Sequence, residues 1–197
     1  MKEKIIKETL NLLNTKTFDK ITIKDITDNL NISRQAFYYH FNDLYEVVET
    51  ICTNSYKMVT NTYTDLEDWK FVYLYILRLI YTHKDVVSNI YKTIEREYVD
   101  NILYNSLFPY VENVIIKQSK NLNVEKKDID FISKYFTLSF IAITSDWIKN
   151  GMKEKPEILV RNVYLIINND FKKALNNFEK NNKKSWHINI NVKIILI

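Results

Sequence analysis

Residues 22–41 read TIKDITDNLNISRQAFYYHF, and this stretch decides the fold. Ile23, Ile26 and Leu30 recur at i, i+3 and i+7, which lays one apolar stripe along a helix over 22–29. Thr22 stands where an N-cap belongs. With Asp25 it forms a capping-box pattern, in which each side chain satisfies a backbone N–H orphaned at the helix start. Leu30-Asn31-Ile32-Ser33 follows as a turn, with Ile32 the apolar plug between two helices and Ser33 the cap of the second. Phe37 and Phe41, at i and i+4, give that second helix (34–40) its buried side, and Phe37, Phe41, Ile26 and Ile32 are expected in the core. Arg34, Gln35, Tyr38, Tyr39 and His40 fall on its flanks and outer face. Two short capped helices joined by a tight turn make a helix-turn-helix. Its second helix opens on Arg34 and Gln35, and Arg forks onto guanine and Gln onto adenine in the major groove. An ordinary solvated helix face is the alternative for the same residues.

Ser33 to Phe41 (SRQAFYYHF) followed by Asn42-Asp43-Leu44-Tyr45-Glu46-Val47-Val48 resembles the signature of TetR-family transcriptional regulators. The likeness spans roughly residues 4 to 50, including Ile6, Leu10 and Leu13 of a first helix and the Phe18 and Thr22-Ile23 that follow. It implies phosphate contacts from Thr22, Lys24, Ser33, Tyr39 and His40, with Tyr38 on a base or the backbone. The family usually has Gly at the positions of Thr17 and Asn31. Asn tolerates the left-handed conformation and Thr does so poorly, so the turn at Thr17 is expected to be built differently. The family's Lys at the start of the fourth helix, a phosphate contact, aligns with Leu44.

One Gly and two Pro among 197 residues leave little turn chemistry for sheets, and the expected fold class is all-α. The excess of Asn, Lys, Ile and Tyr suggests an A- and T-rich genome. A single Cys, Cys52, excludes an intramolecular disulfide framework and fits a reducing cytoplasm. The first apolar stretch is broken by Lys and Glu, so a signal peptide is not expected, and no run has the roughly 18 apolar residues of a membrane span. The net charge of +4 lies late in the chain. Through Thr50, Lys2, Lys4, Lys7, Lys16, Lys20, Lys24 and Arg34 face Glu3, Glu8, Asp19, Asp25, Asp28, Asp43, Glu46 and Glu49. Contact with double-stranded DNA therefore has to use a local patch of Lys2, Lys4, Lys24, Arg34 and helix N-termini, giving a modest salt dependence.

Three units are expected: a helix-turn-helix head over 1–48, a helical effector-binding and dimerisation domain over 49–182, and a tail over 183–197. Helices are predicted near 3–14, 22–29, 34–40 and 44–62, then from about 65, where Thr64 and Glu67 repeat the capping-box pattern ahead of a segment apolar nearly all round. Others are predicted near 84–94 and 97–118, with Pro109 ending or restarting the latter. Ile129, Ile132, Phe136, Phe140, Ile143 and Trp147 recur at heptad-like spacing, as do Val160, Tyr164, Ile167, Phe171, Ala174 and Phe178. The members Ile132, Phe136, Phe140, Ile143, Trp147, Val160, Tyr164, Ile167, Phe171 and Phe178 are candidates for a homodimer interface, two helices from each copy forming a four-helix bundle. Packing within one subunit is the alternative. The TetR resemblance favours the dimer. Tyr135 to Leu159, with Asp146-Trp147-Ile148, Gly151 and Pro156-Glu157, further resembles the C-terminal domain of the dihydroxyacetone-kinase-type regulator subgroup. The tail, SWHININVKIILI at its end, alternates and then runs apolar like a strand.

The TetR resemblance also implies a small-molecule effector in the second domain, for which Tyr73, Leu77, Tyr91, Tyr104, Phe108, Phe136, Phe140 and Trp147 are pocket candidates; simple core is the alternative. Catalysis and cofactors are not expected. His40, His83 and His187 are isolated without metal-ligand spacing, Cys52 is expected buried in the fourth helix, and one Gly cannot build a phosphate loop. The function expected is that of a dimeric, ligand-released repressor on a palindromic operator. The alternative is a helical co-regulator acting mainly through a protein partner.

Overall fold

A computed structural model describes residues 1–62, 69–167 and 169–181. Among them every regular element is helical: α1 (Lys2–Leu13), α2 (Ile23–Leu30), α3 (Arg34–Tyr38), α4 (Leu44–Thr62), α5 (Trp69–Thr82), α6 (Lys84–Thr93), α7 (Arg96–Ser119), α8 (Lys126–Lys149), α9 (Pro156–Ile167) and α10 (Asp170–Asn181). A one-turn 3-10 helix, Phe18–Lys20, lies between α1 and α2. An N-terminal helix-turn-helix leads into a helical C-terminal domain. The Thr64–Glu67 capping pattern and the strand-like tail lie outside the described residues.

The head folds as its local chemistry dictates. The Asp25 N–H donates to Thr22 Oγ1 at 3.1 Å and the Thr22 N–H donates to Asp25 Oδ2 at 2.8 Å, closing the capping box of α2. Asn31 ends α2 in the left-handed conformation, φ 52°. Thr17, by contrast, is extended (φ −71°, ψ 148°) and precedes the 3-10 turn, so that bend needs no left-handed residue. Ser33 Oγ accepts from the Ala36 N–H at 3.1 Å, and Asp43 caps α4 through the Glu46 N–H at 2.8 Å. Phe37, Phe41 and Ile26 are buried as expected, whereas Ile32 is only half-buried against them.

Lys16 Nζ lies 2.9 Å from Asp25 Oδ1 and ties the end of α1 to the start of α2. That lysine, with the hydroxyl and backbone of Thr22, holds the Asp25 carboxyl near 2, below its ordinary 3.8. A depressed carboxylate stabilises the fold fully above its unfolded-state value and loses that contribution as pH falls through the folded one. The stability gap between wild type and Asp25→Ala in urea titrations should therefore be widest above about pH 4 and narrow steadily toward pH 2. A pH-independent gap would mean that the carboxylate's charge contributes nothing.

Among the described residues two apolar clusters build the interior, and they do not divide the chain at one point. One joins the buried faces of α1 to α4 to Val86, Ile94 and Ile102 of α6, its C-cap and α7. The other centres on Trp69, Tyr73, Leu77, Phe136, Phe140 and Phe171. Helices α7 and α8 pack along each other, and α8 carries the small buried Ser133, Thr137 and Ser145. Their hydroxyls are satisfied by the Ile129 carbonyl, the Ser133 carbonyl and Asp100 Oδ1.

Three expectations need correction. Pro109 does not end a helix: it lies inside α7, exposed, and the carbonyl it cannot serve belongs to Asn105, also exposed, where water can meet it. The last stripe does not lie on one helix, because Asn169 at φ 66° separates α9 from α10. The heptad stripes face inward: Ile132, Phe136, Phe140, Trp147, Val160 and Phe171 are buried in their own subunit, with Ile143, Tyr164, Ile167 and Phe178 half-buried against them. Spacing locates a stripe but not which face turns inward. The apolar residues left outside are Phe131, Tyr135 and Leu138 on α8 and Ile158, Leu165 and Ile166 on α9.

Candidate functional site

Helix α3 is held from behind and open in front. Phe37 has no exposed surface, and its ring meets that of Phe41 at 6.0 Å and the edge of Tyr38 at 5.7 Å. Arg34, Gln35 and Tyr38 stand exposed on one short helix, and Tyr39 beside them is 85% exposed with its ring edge-on to His40 at 5.0 Å. Thr22, Lys24 and Ser33 are exposed at or beside the N-termini of α2 and α3, and His40 is half-buried. Of the eight candidate nucleic-acid contacts, Thr22, Lys24, Ser33, Arg34 and Gln35 thus gather around two helix starts, where backbone N–H groups favour phosphate, while Tyr38, Tyr39 and His40 stand at the other end of α3. Two of them already have partners: the Thr22 hydroxyl donates to Asp25 at 2.7 Å, and Ser33 caps α3.

The pocket candidates scatter. Leu77 and Phe136 are packed core, and Tyr73 is core with its hydroxyl 3.1 Å from Thr144 Oγ1. Trp147 is buried, its indole N–H donating to the Glu154 carbonyl at 3.0 Å. Tyr104 and Phe108 stack on each other at 5.2 Å. Tyr73 and Phe140 border a void of only 20 Å³, and Tyr91 borders an open cleft between α6 and the end of α8.

A cavity of 230 Å³ lies elsewhere, among α1, α4, α5, α6 and α7, and none of the aromatic candidates lines it. Its walls are aliphatic, with Leu10, Val48, Ile51, Leu79, Val87 and Leu103 among them, and Cys52, His83 and Ser106 supply the few polar atoms. Cys52 as a residue is half-buried on this wall, and desolvation of its thiol pushes it up to about 11.

The same wall is coupled to the head. Asn89 of α6 donates through Nδ2 to the carbonyls of Leu13 (3.0 Å) and Lys16 (2.7 Å), while its Oδ1 accepts from the Phe18 N–H (3.0 Å). One side chain thereby fixes the bend between α1 and α2.

Comparison with known proteins agrees with this geometry. Residues 5–51 match the family model described as bacterial regulatory proteins, tetR family, and residues 67–169 match one described as a transcriptional regulator C-terminal region. The chain belongs to the TetR family. It is 26% identical over 152 residues to the HTH-type dhaKLM operon transcriptional activator DhaS of Lactococcus lactis subsp. lactis (strain IL1403), covering 75% of this chain and 79% of that one. The solved structure of a dihydroxyacetone kinase operon activator DhaS superposes with a TM-score of 0.65 at 22% identity, covering 90% of this chain and 97% of the other.

This TetR-family regulator departs from the family pattern where its sequence does. Leu44, at the position of the usual Lys, is half-buried and packs against the head's core instead of presenting a charge. Sequence reasoning passed over both the cavity lining and Asn89. An aliphatic run cannot show where packing leaves a gap, and an Asn amid Val, Ser and Ile in 86–90 carries no signal of a backbone partner more than seventy residues away.

Proposed function

We propose that this regulator binds a two-half-site DNA operator as a homodimer, with α3 in the major groove, and that a small molecule in the cavity beside the head sets its DNA affinity. The observation that carries the reading is α3 itself: Phe37 anchors it while Arg34, Gln35, Tyr38 and Tyr39 are turned to solvent together. Arg34 and Gln35 read base edges, Lys24, Tyr39 and His40 meet phosphate, and Tyr38 meets a base or the backbone. Thr22 and Ser33 serve chiefly as caps that aim the helix starts at phosphate. The protein works in the cytoplasm, where the DNA is. Mechanistically, the effector favours one spacing of the two heads over the other and so shifts the population that fits half-sites one helical turn apart. For the sign of regulation, the names of both similar proteins favour an activator over the repressor expected from the sequence.

Fluorescence anisotropy on the upstream DNA of the regulator's own gene, with purified protein and no partner added, tests this. Arg34→Ala should cost about 1–3 kcal/mol and relax preference at one base position, whereas Lys24→Ala should weaken all sequences alike. The head's excess of acidic over basic side chains favours one second reading, a co-regulator that reaches DNA through a protein partner. Weak, salt-sensitive binding indifferent to Arg34→Ala would select it.

A further inference from the structure

The cavity among α1, α4, α5, α6 and α7 has a lining that specifies the chemistry of its occupant, an inference that rests on the effector reading above. Among the described residues its polar atoms come from three side chains, Cys52, His83 and Ser106, against eleven aliphatic ones. A molecule bearing several hydroxyl and carbonyl groups would trade water for hydrocarbon and leave most of them unpaired, which such a site rejects strongly. An apolar cavity of about 150 Å³ accommodates benzene, so 230 Å³ takes roughly eight to twelve non-hydrogen atoms. We propose that the cavity binds a compact, hydrocarbon-rich molecule of that size with a single polar end, of the class of a medium-chain aliphatic alcohol or acid, and that it excludes polyols. His83 lines the cavity and is also exposed, which places it where the cavity opens to solvent and where a polar end would stay hydrated.

Helix α6 carries occupancy to the head. Val86, Val87 and Ile90 form part of the cavity wall, and Asn89, between them in sequence, holds the carbonyls of Leu13 and Lys16 and the N–H of Phe18. Any displacement of α6 by an occupant therefore moves the bend that sets α1 against α2. Asn89 is a positioning residue: it touches the head's backbone and is absent from the cavity lining.

Calorimetric titration of the full chain with 1-octanol and, separately, with dihydroxyacetone tests the proposal, beside anisotropy on operator DNA with and without octanol. The expected result is saturable octanol binding, weakened at least about tenfold by Val87→Phe and by Ser106→Leu, with no heat from dihydroxyacetone. Two filling variants are used because the larger can disturb folding. Octanol should change operator affinity by roughly 5- to 150-fold in wild type, and Asn89→Ala should keep octanol binding and lose most of that response. Dihydroxyacetone binding that the filling variants abolish would overturn the ligand class. Octanol binding indifferent to both variants, or absent, would overturn the site, and a full response in Asn89→Ala would overturn the route. Specific operator binding without any octanol binding leaves the regulator reading intact while removing this one. Octanol binding without operator binding does the reverse.

Discussion

Substituting Leu165→Glu with Ile166→Glu, or Tyr135→Glu with Leu138→Glu, should yield a folded monomer whose affinity for a two-half-site operator falls by about 10²- to 10⁴-fold. Leu165 and Ile166 are 71% and 73% exposed, so charges there disturb nothing within the subunit. Phe131, Tyr135 and Leu138 lie at i, i+4 and i+7, one apolar stripe on the outer face of α8, with Ile158 and Leu165 repeating the pattern on α9. Large apolar side chains exposed in stripes on two helices are what a partner surface covers, and a second copy presents the same stripes. Joining two reading heads makes the second half-site contact intramolecular, and the loss expected on separating them is that effective concentration. Sedimentation velocity and anisotropy measured together decide the matter. A wild-type monomer at tens of micromolar would overturn the dimer, and dimers that survive both pairs of substitutions would place the interface elsewhere.

The contrast between these residues and the heptad stripes shows what the sequence can carry. The caps Thr22 and Ser33 and the left-handed Asn31 were readable because each depends on partners within a few residues. Inside against outside on α8 was not readable from spacing, since both Phe136-Phe140 and Tyr135-Leu138 recur at helical intervals; which stripe is buried depends on α5, α7 and α10 packing against it. The break at Asn169 had a local signal, Asn-Asn-Asp, that the continuing apolar period outweighed. Pro109 carried a real breaker signal, and exposure of Asn105 let the helix run through it. The cavity had no signal at all, because it is defined by side chains from five helices failing to meet.

Phe37→Ala should remove about 3–5 kcal/mol of stability, the usual cost of truncating a buried aromatic. Stability of about 0.05–0.15 kcal/mol per residue gives a head of this size roughly 3–7 kcal/mol, so the head should melt well before the rest. The two clusters make that separable. Trp69 and Trp147 both sit in the second cluster, so in a Trp186→Phe background indole fluorescence follows that cluster, while far-ultraviolet dichroism follows all helices. Heating Phe37→Ala should give a first loss of helicity without a fluorescence change, then a second that both probes share. The first step should reach beyond α1 to α4. Val86, Ile94 and Ile102 pack into the head's cluster, and Asn89 is bonded to its backbone, so α6 loses its support when the head melts. Octanol binding should vanish with that first step, since α6 walls the cavity. Coincident transitions in both probes would instead mean that α6 and α7 weld the clusters into one cooperative unit, and that the head reports the state of the cavity by folding with it rather than by moving against it.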